Sequence, residues 1–269
     1  SPSAETVFKD MNEEMLKTRT VTLTEVLSLS GADGSQTDFN SKLYMNMSST
    51  QTLAANGEFR LSITGVESPL TVEAEVVNVN GEVYVRYSEL SSPSQELAPS
   101  FSEIEANLKG EWIKVRDSDQ FGSIAKTPID FVASPLPVPF ANLNDSQRKD
   151  VLSILRDEST YTIEESSKVD IGGVSAYKYQ ISFSQDQYDR AAKAITNYVK
   201  YFKTSDDNTG QVTSMTVWVD ISTKRVVKME FEGASEQGDI SGSISFSEYG
   251  VTKLVEKPGD YFIESELLN

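Results

Sequence analysis

Apolar and polar residues alternate one by one along most of this chain, and a two-residue period builds strands with one dry and one wet face. Val21, Leu23, Leu27 and Leu29 alternate with Thr22, Thr24 and Ser28. Glu25 interrupts that apolar face, and nothing in the sequence accounts for it. Leu43, Met45 and Met47 repeat the pattern, as do Phe59, Leu61 and Ile63, then Val72, Ala74 and Val76. Asn80-Gly81 is a strong two-residue hairpin signal, and Val83, Val85 and Tyr87 continue the alternation beyond it. Further strands are predicted around Trp112–Arg116, Tyr161–Glu165, Val174–Phe183, Met215–Ile221, Val227–Phe231 and Ile240–Phe246. The pattern predicts an α+β protein built on an antiparallel sheet of about ten strands. No composition shift or internal repeat divides it, so residues 1–269 read as one domain.

Three segments carry helical spacing instead. Val7, Phe8, Met11 and Met15 form an apolar stripe over Glu5–Lys17, with Ser3 as the N-cap. Val151, Leu152, Ile154 and Leu155 do the same from about Asp145 to Asp157, capped by Asn144 or Asp145. Ser184 and Gln187 suggest a capping box opening a third helix, whose stripe is Tyr188, Ala191, Ile195, Val199 and Phe202.

Composition removes whole classes of chemistry. The chain has no histidine and no cysteine, so triad hydrolysis, thiol nucleophiles, disulfides and thiolate metal sites are excluded. A net charge of −17 would repel a phosphate backbone, so no nucleic-acid partner is expected. No run of 18 apolar residues is present. The opening Ser1-Pro2-Ser3-Ala4 reads as the start of a mature form.

Several local patterns admit two readings. Ser134-Pro135-Leu136-Pro137-Val138-Pro139-Phe140 is stiff and apolar; Leu136, Val138 and Phe140 serve either as a lid or as a connector packed on the body. Asp117-Ser118-Asp119 and Asp206–Gly210 carry oxygen ligands without EF-hand spacing, and read as turns before calcium loops. Glu73 with Glu75, and Glu164-Glu165, are acidic pairs of the type a glycosidase uses, but belong more naturally to wet strand faces. Tyr177, Tyr179, Trp112 and Trp218 either line a surface or pack.

Three stretches carry a family resemblance. Asn80-Gly81-Glu82-Val83-Tyr84-Val85 is answered by Gly110-Glu111-Trp112-Ile113-Lys114-Val115. Val169-Asp170-Ile171-Gly172-Gly173-Val174-Ser175-Ala176-Tyr177-Lys178-Tyr179 runs into the Ser184 helix. Val217-Trp218-Val219-Asp220 pairs with Thr223–Met229 around an Asp turn. With an N-terminal helix before a long meander, these resemble the LolA/LolB fold as used by LprG/LppX-type bacterial lipoproteins.

The resemblance implies a curved half-barrel with helices on its concave face, on an extracytoplasmic protein of the cell surface or envelope. It implies membrane attachment through a lipidated cysteine, which would have to lie ahead of Ser1. No cofactor and no enzymatic activity are expected. The apolar ligand, a lipid or glycolipid, would sit between sheet and helices. The residues that would line that space are Phe59, Leu61, Ile63, Val83, Val85, Val217 and Val219 from the strands, with Ile154, Leu155, Ile195, Val199 and Phe202 from the helices. Two other roles stay open: a sensor or interaction domain with a membrane signalling partner, and a structural part with no ligand.

Overall fold

The computed structural model describes residues 2–94, 102, 106–116, 126–130, 138–158, 160–202, 214–235 and 238–263. The first helix, α1, spans Ala4–Met15, and the Ser3 side chain accepts a hydrogen bond from the Thr6 amide at 3.2 Å. Five long strands follow as a meander: β1 (Thr20–Gly31), β2 (Gln36–Asn46), β3 (Ala54–Thr64), β4 (Leu70–Val79) and β5 (Glu82–Ser91). The β4–β5 turn is the one Asn80-Gly81 predicts. Both residues take positive φ, 54° and 78°, and Val79 pairs directly with Glu82. Such a turn matches the right-handed twist of the flanking strands. Gly172-Gly173 makes a second turn of this kind, at φ 59° and 83°.

A short strand, β6 (Ile113–Val115), pairs with β5. The segment after the prolines then runs antiparallel to the end of α1. The Ala141 and Leu143 amides donate to the Met15 and Leu16 carbonyls at 3.2 and 3.0 Å. Helix α2 (Asp145–Leu155) starts on a complete capping box between Asn144 and Gln147. Strands β7 (Tyr161–Ile171) and β8 (Val174–Phe183) precede α3 (Gln185–Tyr198), and β9 (Ser214–Asp220), β10 (Val226–Ser235) and β11 (Gly238–Ser247) complete the main run.

β11 returns to pair with β1, so two meanders join into one sheet. Its order is β12-β6-β5-β4-β3-β2-β1-β11-β10-β9-β8-β7. The described strands number twelve rather than about ten; the one without a sequence signal is the two-residue β12 (Phe262–Ile263), which adds in parallel to β6. The sheet is curved and unclosed, an α+β half-barrel with β7 at one edge. Between β11 and β12 the chain crosses the outer face as a strap. Gly250 donates to the Thr20 carbonyl at 3.1 Å, Lys253 to the Tyr44 hydroxyl at 2.9 Å, and Phe262 to the Trp112 carbonyl at 2.9 Å.

The inner face is one continuous apolar layer. Val21, Leu23, Leu43, Phe59, Val76, Val85, Val217 and Ile244 pack in it with Val7, Phe8, Met11 and Met15 of α1. A second, smaller core joins α2, α3 and residues 141–143 through Leu143, Val151, Leu155, Ala191 and Ile195. Gly57 marks a close approach, since a Cβ there would lie 2.0 Å from the Lys42 carbonyl oxygen.

If α1 is the main cover of the sheet, its stripe carries the stability. Met11→Ala, at a fully buried position, is expected to cost about 2–5 kcal/mol. Lys9→Ala, on the exposed side of the same helix, should change stability by less than about 0.5 kcal/mol. Urea unfolding followed by circular dichroism measures both.

Candidate functional site: a groove between α1 and the β7–β8 edge

The residues expected to line one cavity fall into two separate cores. Phe59, Leu61, Val83, Val85, Val217 and Val219 are buried in the sheet core beneath α1, with Ile63 partly buried against it. Leu155, Ile195, Val199 and Phe202 belong to the second core, with Ile154 packed on its flank. Val199 and Phe202 also fall outside the third helix. That helix ends at Tyr198, Val199 is extended (φ −114°, ψ 107°), and the next amide, of Lys200, donates to the Thr50 carbonyl at 2.8 Å. That bond takes the chain toward the β2–β3 connection instead of around another helical turn.

Val138 and Phe140 are fully buried in the sheet core, and the Phe140 ring meets Phe246 edge-on at 5.7 Å. Leu136 lies outside the described residues, as do Asp117-Ser118-Asp119 and Asp206–Gly210. Glu73 and Glu75 sit on the outer face, paired with Arg60 at 2.8 Å and Arg86 at 2.6 Å. Trp112 and Trp218 are on that face too, where Arg86 and Lys228 stack over them.

Open space occurs elsewhere. A groove of about 580 Å³ lies between α1, the end of α2 and the inner face of β7–β8. Its floor is Phe8, Leu155, Tyr161, Ile163 and Tyr179; its rim is Glu5, Lys9, Arg156, Asp157 and Glu158. Phe8 is the keystone, with its ring edge-on to Tyr161 at 5.5 Å and to Tyr179 at 5.2 Å. The Tyr179 hydroxyl donates to the Ala4 carbonyl, fixing the start of α1 to β8. The Arg156 guanidinium donates to Glu13 at 2.9 Å, fixing the end of α2 to α1.

A bulge shapes the open side. The β7–β8 register slips between Ile163 and Glu165. Before the slip, Tyr161 and Ile163 oppose the inward Phe183 and Ile181; after it, Ser166 and Lys168 oppose the inward Tyr179 and Tyr177. The inward parity of β7 therefore changes from odd to even residues. An apolar half-floor gives way to a hydroxyl and an ammonium, with the Lys168 ammonium 5.4 Å over the Tyr177 ring.

The groove is poor in reactive groups. Burial pushes the Tyr161 and Tyr179 phenols well above their ordinary range, so both stay neutral near pH 7 and serve as donors rather than bases. Asn12 is the exception in polarity. It lines the groove from α1, is almost fully buried, and its Oδ1 has no hydrogen-bond partner. Of the floor residues, Leu155 is among those expected to line the cavity and Tyr179 among the aromatic surface candidates; Phe8, Tyr161 and Ile163 carry no such expectation. Asn12 lies one turn after Phe8 on the apolar stripe of α1, and a polar residue on such a stripe is the signal that could have found it.

No family model matches the chain, and no curated protein sequence matches it. Solved structures are similar to it at low identity. LprF from Mycobacterium bovis is 13% identical over 96% of this chain and 99% of that one, with a TM-score of 0.49. The MucA/MucB complex of Pseudomonas aeruginosa is similar at 11% identity over 97% of this chain and 60% of that one, TM-score 0.33. A LolA superfamily protein from Nitrosomonas europaea is similar at 9% identity over 94% and 96%, TM-score 0.26.

An unpartnered buried amide costs stability that an apolar residue of like shape recovers. Asn12→Leu should therefore hold or raise the thermal midpoint, while Asn12→Asp, which introduces a charge there, should lower it clearly. Differential scanning fluorimetry of the two variants against the parent checks the ordering. The described strands form one unclosed twelve-stranded sheet whose inner face α1 covers, the half-barrel arrangement expected from the sequence.

Proposed function

We propose that this chain is an extracytoplasmic, non-enzymatic, membrane-anchored binding domain that takes the apolar chain of an amphiphile into the groove between α1 and β7–β8. One observation carries the reading: a groove lined by aromatic and aliphatic side chains, with Tyr161 and Ile163 partly exposed, lies beside a charged rim. Its volume of about 580 Å³ falls within the roughly 300–1,000 Å³ of small-molecule sites. The physical gain is burial of the ligand's methylenes against Phe8, Ile163 and the tyrosine rings, at about 0.8 kcal/mol per CH₂. The polar head stays at the rim, where Lys9, Arg156, Asp157 and Glu158 are wet. Phe8 and Asn12 both sit on α1, so a small shift of this helix widens or narrows the groove and gives a route for loading and release.

A second reading, a protein-interaction domain, draws support from the β7 edge. Residues Glu164–Lys168 are exposed, and among the described residues β7 pairs with β8 alone, which offers its other side to an added strand.

The two readings separate experimentally. Protein purified without detergent, extracted with organic solvent and analysed by mass spectrometry should yield one amphiphile per chain. Ser166→Trp, at an exposed position on the groove wall, should weaken binding of a fluorescent polyene fatty acid at least tenfold while leaving the fold intact. Ligand-free protein that also fails to bind the fatty acid rejects the first reading.

A further inference from the structure

Glu25 stands in the middle of β1 on the inner, apolar face of the sheet, and its exposure is 0%. Its neighbours on β1 are Leu23 and Leu27; across the sheet it faces Ser41 on β2 and Ile244 on β11. One carboxyl oxygen accepts from the Ser41 hydroxyl, and the other, Oε1, is buried with no partner. Removing a carboxylate from water without a counter-charge is costly, and the group responds by keeping its proton. Burial raises the Glu25 carboxyl from its ordinary 4.5 to about 7, with the Ser41 bond opposing the rise.

Among the described residues, no charged group faces it from the surrounding strands. Lys42 neighbours Ser41 on β2 but projects to the outer face, and Lys228 and Glu230 on β10 oppose the outward Ser245 and Ser243. α1 contributes Val7, Phe8, Met11 and Met15 to this core, and the 138–140 segment contributes Val138 and Phe140. The titratable side chains in or against the same core are tyrosines, among them Tyr87, Tyr177, Tyr179 and Tyr249; Tyr249 stacks on Phe246. Burial holds it neutral; its hydroxyl donates to the Val226 carbonyl at 2.7 Å, and the Arg225 guanidinium lies 5.1 Å over its ring. Among the described residues, nothing near Glu25 is placed to neutralise it when it ionises.

We propose that Glu25 and Ser41 form a proton-controlled latch on the layer covering the sheet: protonated, the carboxyl lets that layer close over β1, β2 and β11; ionised, it draws water in and loosens it. The device is independent of what the α1 groove binds. The direction follows from linkage. In the unfolded chain the carboxyl ionises near 4.5, while in the folded chain it keeps its proton to about 7. The folded state binds the extra proton in that interval, so stability falls as pH rises through it and is lowest above about 7.

Hydrogen exchange of the β1, β2 and β11 amides, corrected for intrinsic rate and compared between pH 5.5 and 8.5, tests the latch. In the parent protein these amides should exchange at least tenfold faster at pH 8.5, and in Glu25→Gln they should not. Ser41→Ala supplies a second readout. Loss of the hydroxyl removes the one bond that favours the ionised form, so the loosening transition should move to higher pH. Equal pH dependence in the parent and Glu25→Gln, or an unmoved transition in Ser41→Ala, overturns the proposal; if Glu25→Gln does not fold, Ser41→Ala alone decides.

Discussion

A sheet with one apolar face must have that face covered, and among the described residues the cover comes from α1 and the segment around Val138–Leu143, with Leu108 and Ile129. Val7, Phe8, Met11 and Met15 settle on the inner face, and Val138 and Phe140 continue the layer. The backbone bonds from Ala141 and Leu143 to the end of α1 make the two covering pieces one unit. The cover gives out toward β7, at the free edge of the sheet. There the bulge at Glu164 turns the inner face from apolar to polar, and α1 stands off far enough to leave the groove. The groove is thus a consequence of how the cover is anchored, by Phe8 against two tyrosine rings and by the Tyr179 hydroxyl on the first turn of α1.

Much of the fold is legible in the sequence because a two-residue period reports directly which side of a strand is dry. The meander β1–β5, the Asn80-Gly81 turn, the Asn144 cap and the stripe of α1 all follow from local pattern. What is not legible is which apolar face meets which. Periodicity gives α2 and α3 an apolar stripe each, and nothing in that stripe says that it closes on its neighbour and residues 141–143 instead of on the sheet. The same gap hides the site. Phe59 and Val217 on the strands and Ile195 on α3 are each buried, as their spacing predicts, yet they lie in two cores rather than around one space.

Single residues escape for more specific reasons. A bulge leaves no mark in the alternation of β7, because the residues that follow it directly, Glu165–Lys168, are all polar, so the change of parity at Glu164 is invisible. Val199 and Phe202 keep helical spacing from Ile195, but the Lys200 amide finds its partner on Thr50 and the helix stops. Glu25 is the reverse case. Its position on an apolar face is plain in the sequence, and only the structure shows that it is sealed there with one hydroxyl for company. Two polar residues on apolar faces, Glu25 and Asn12, are among the places where this core departs from simple packing.

The claim that the α1 groove receives an apolar chain is tested most directly by position. A fatty acid carrying a diazirine near its methyl end, photolysed with the protein and followed by peptide mass spectrometry, reports which side chains it touches. The groove reading predicts labels on the peptides that carry Phe8, on α1, and Tyr161 or Ile163, on β7, and their loss when unlabelled fatty acid competes. Labels confined to α3, to the outer face around Tyr44, or insensitive to competition would contradict it.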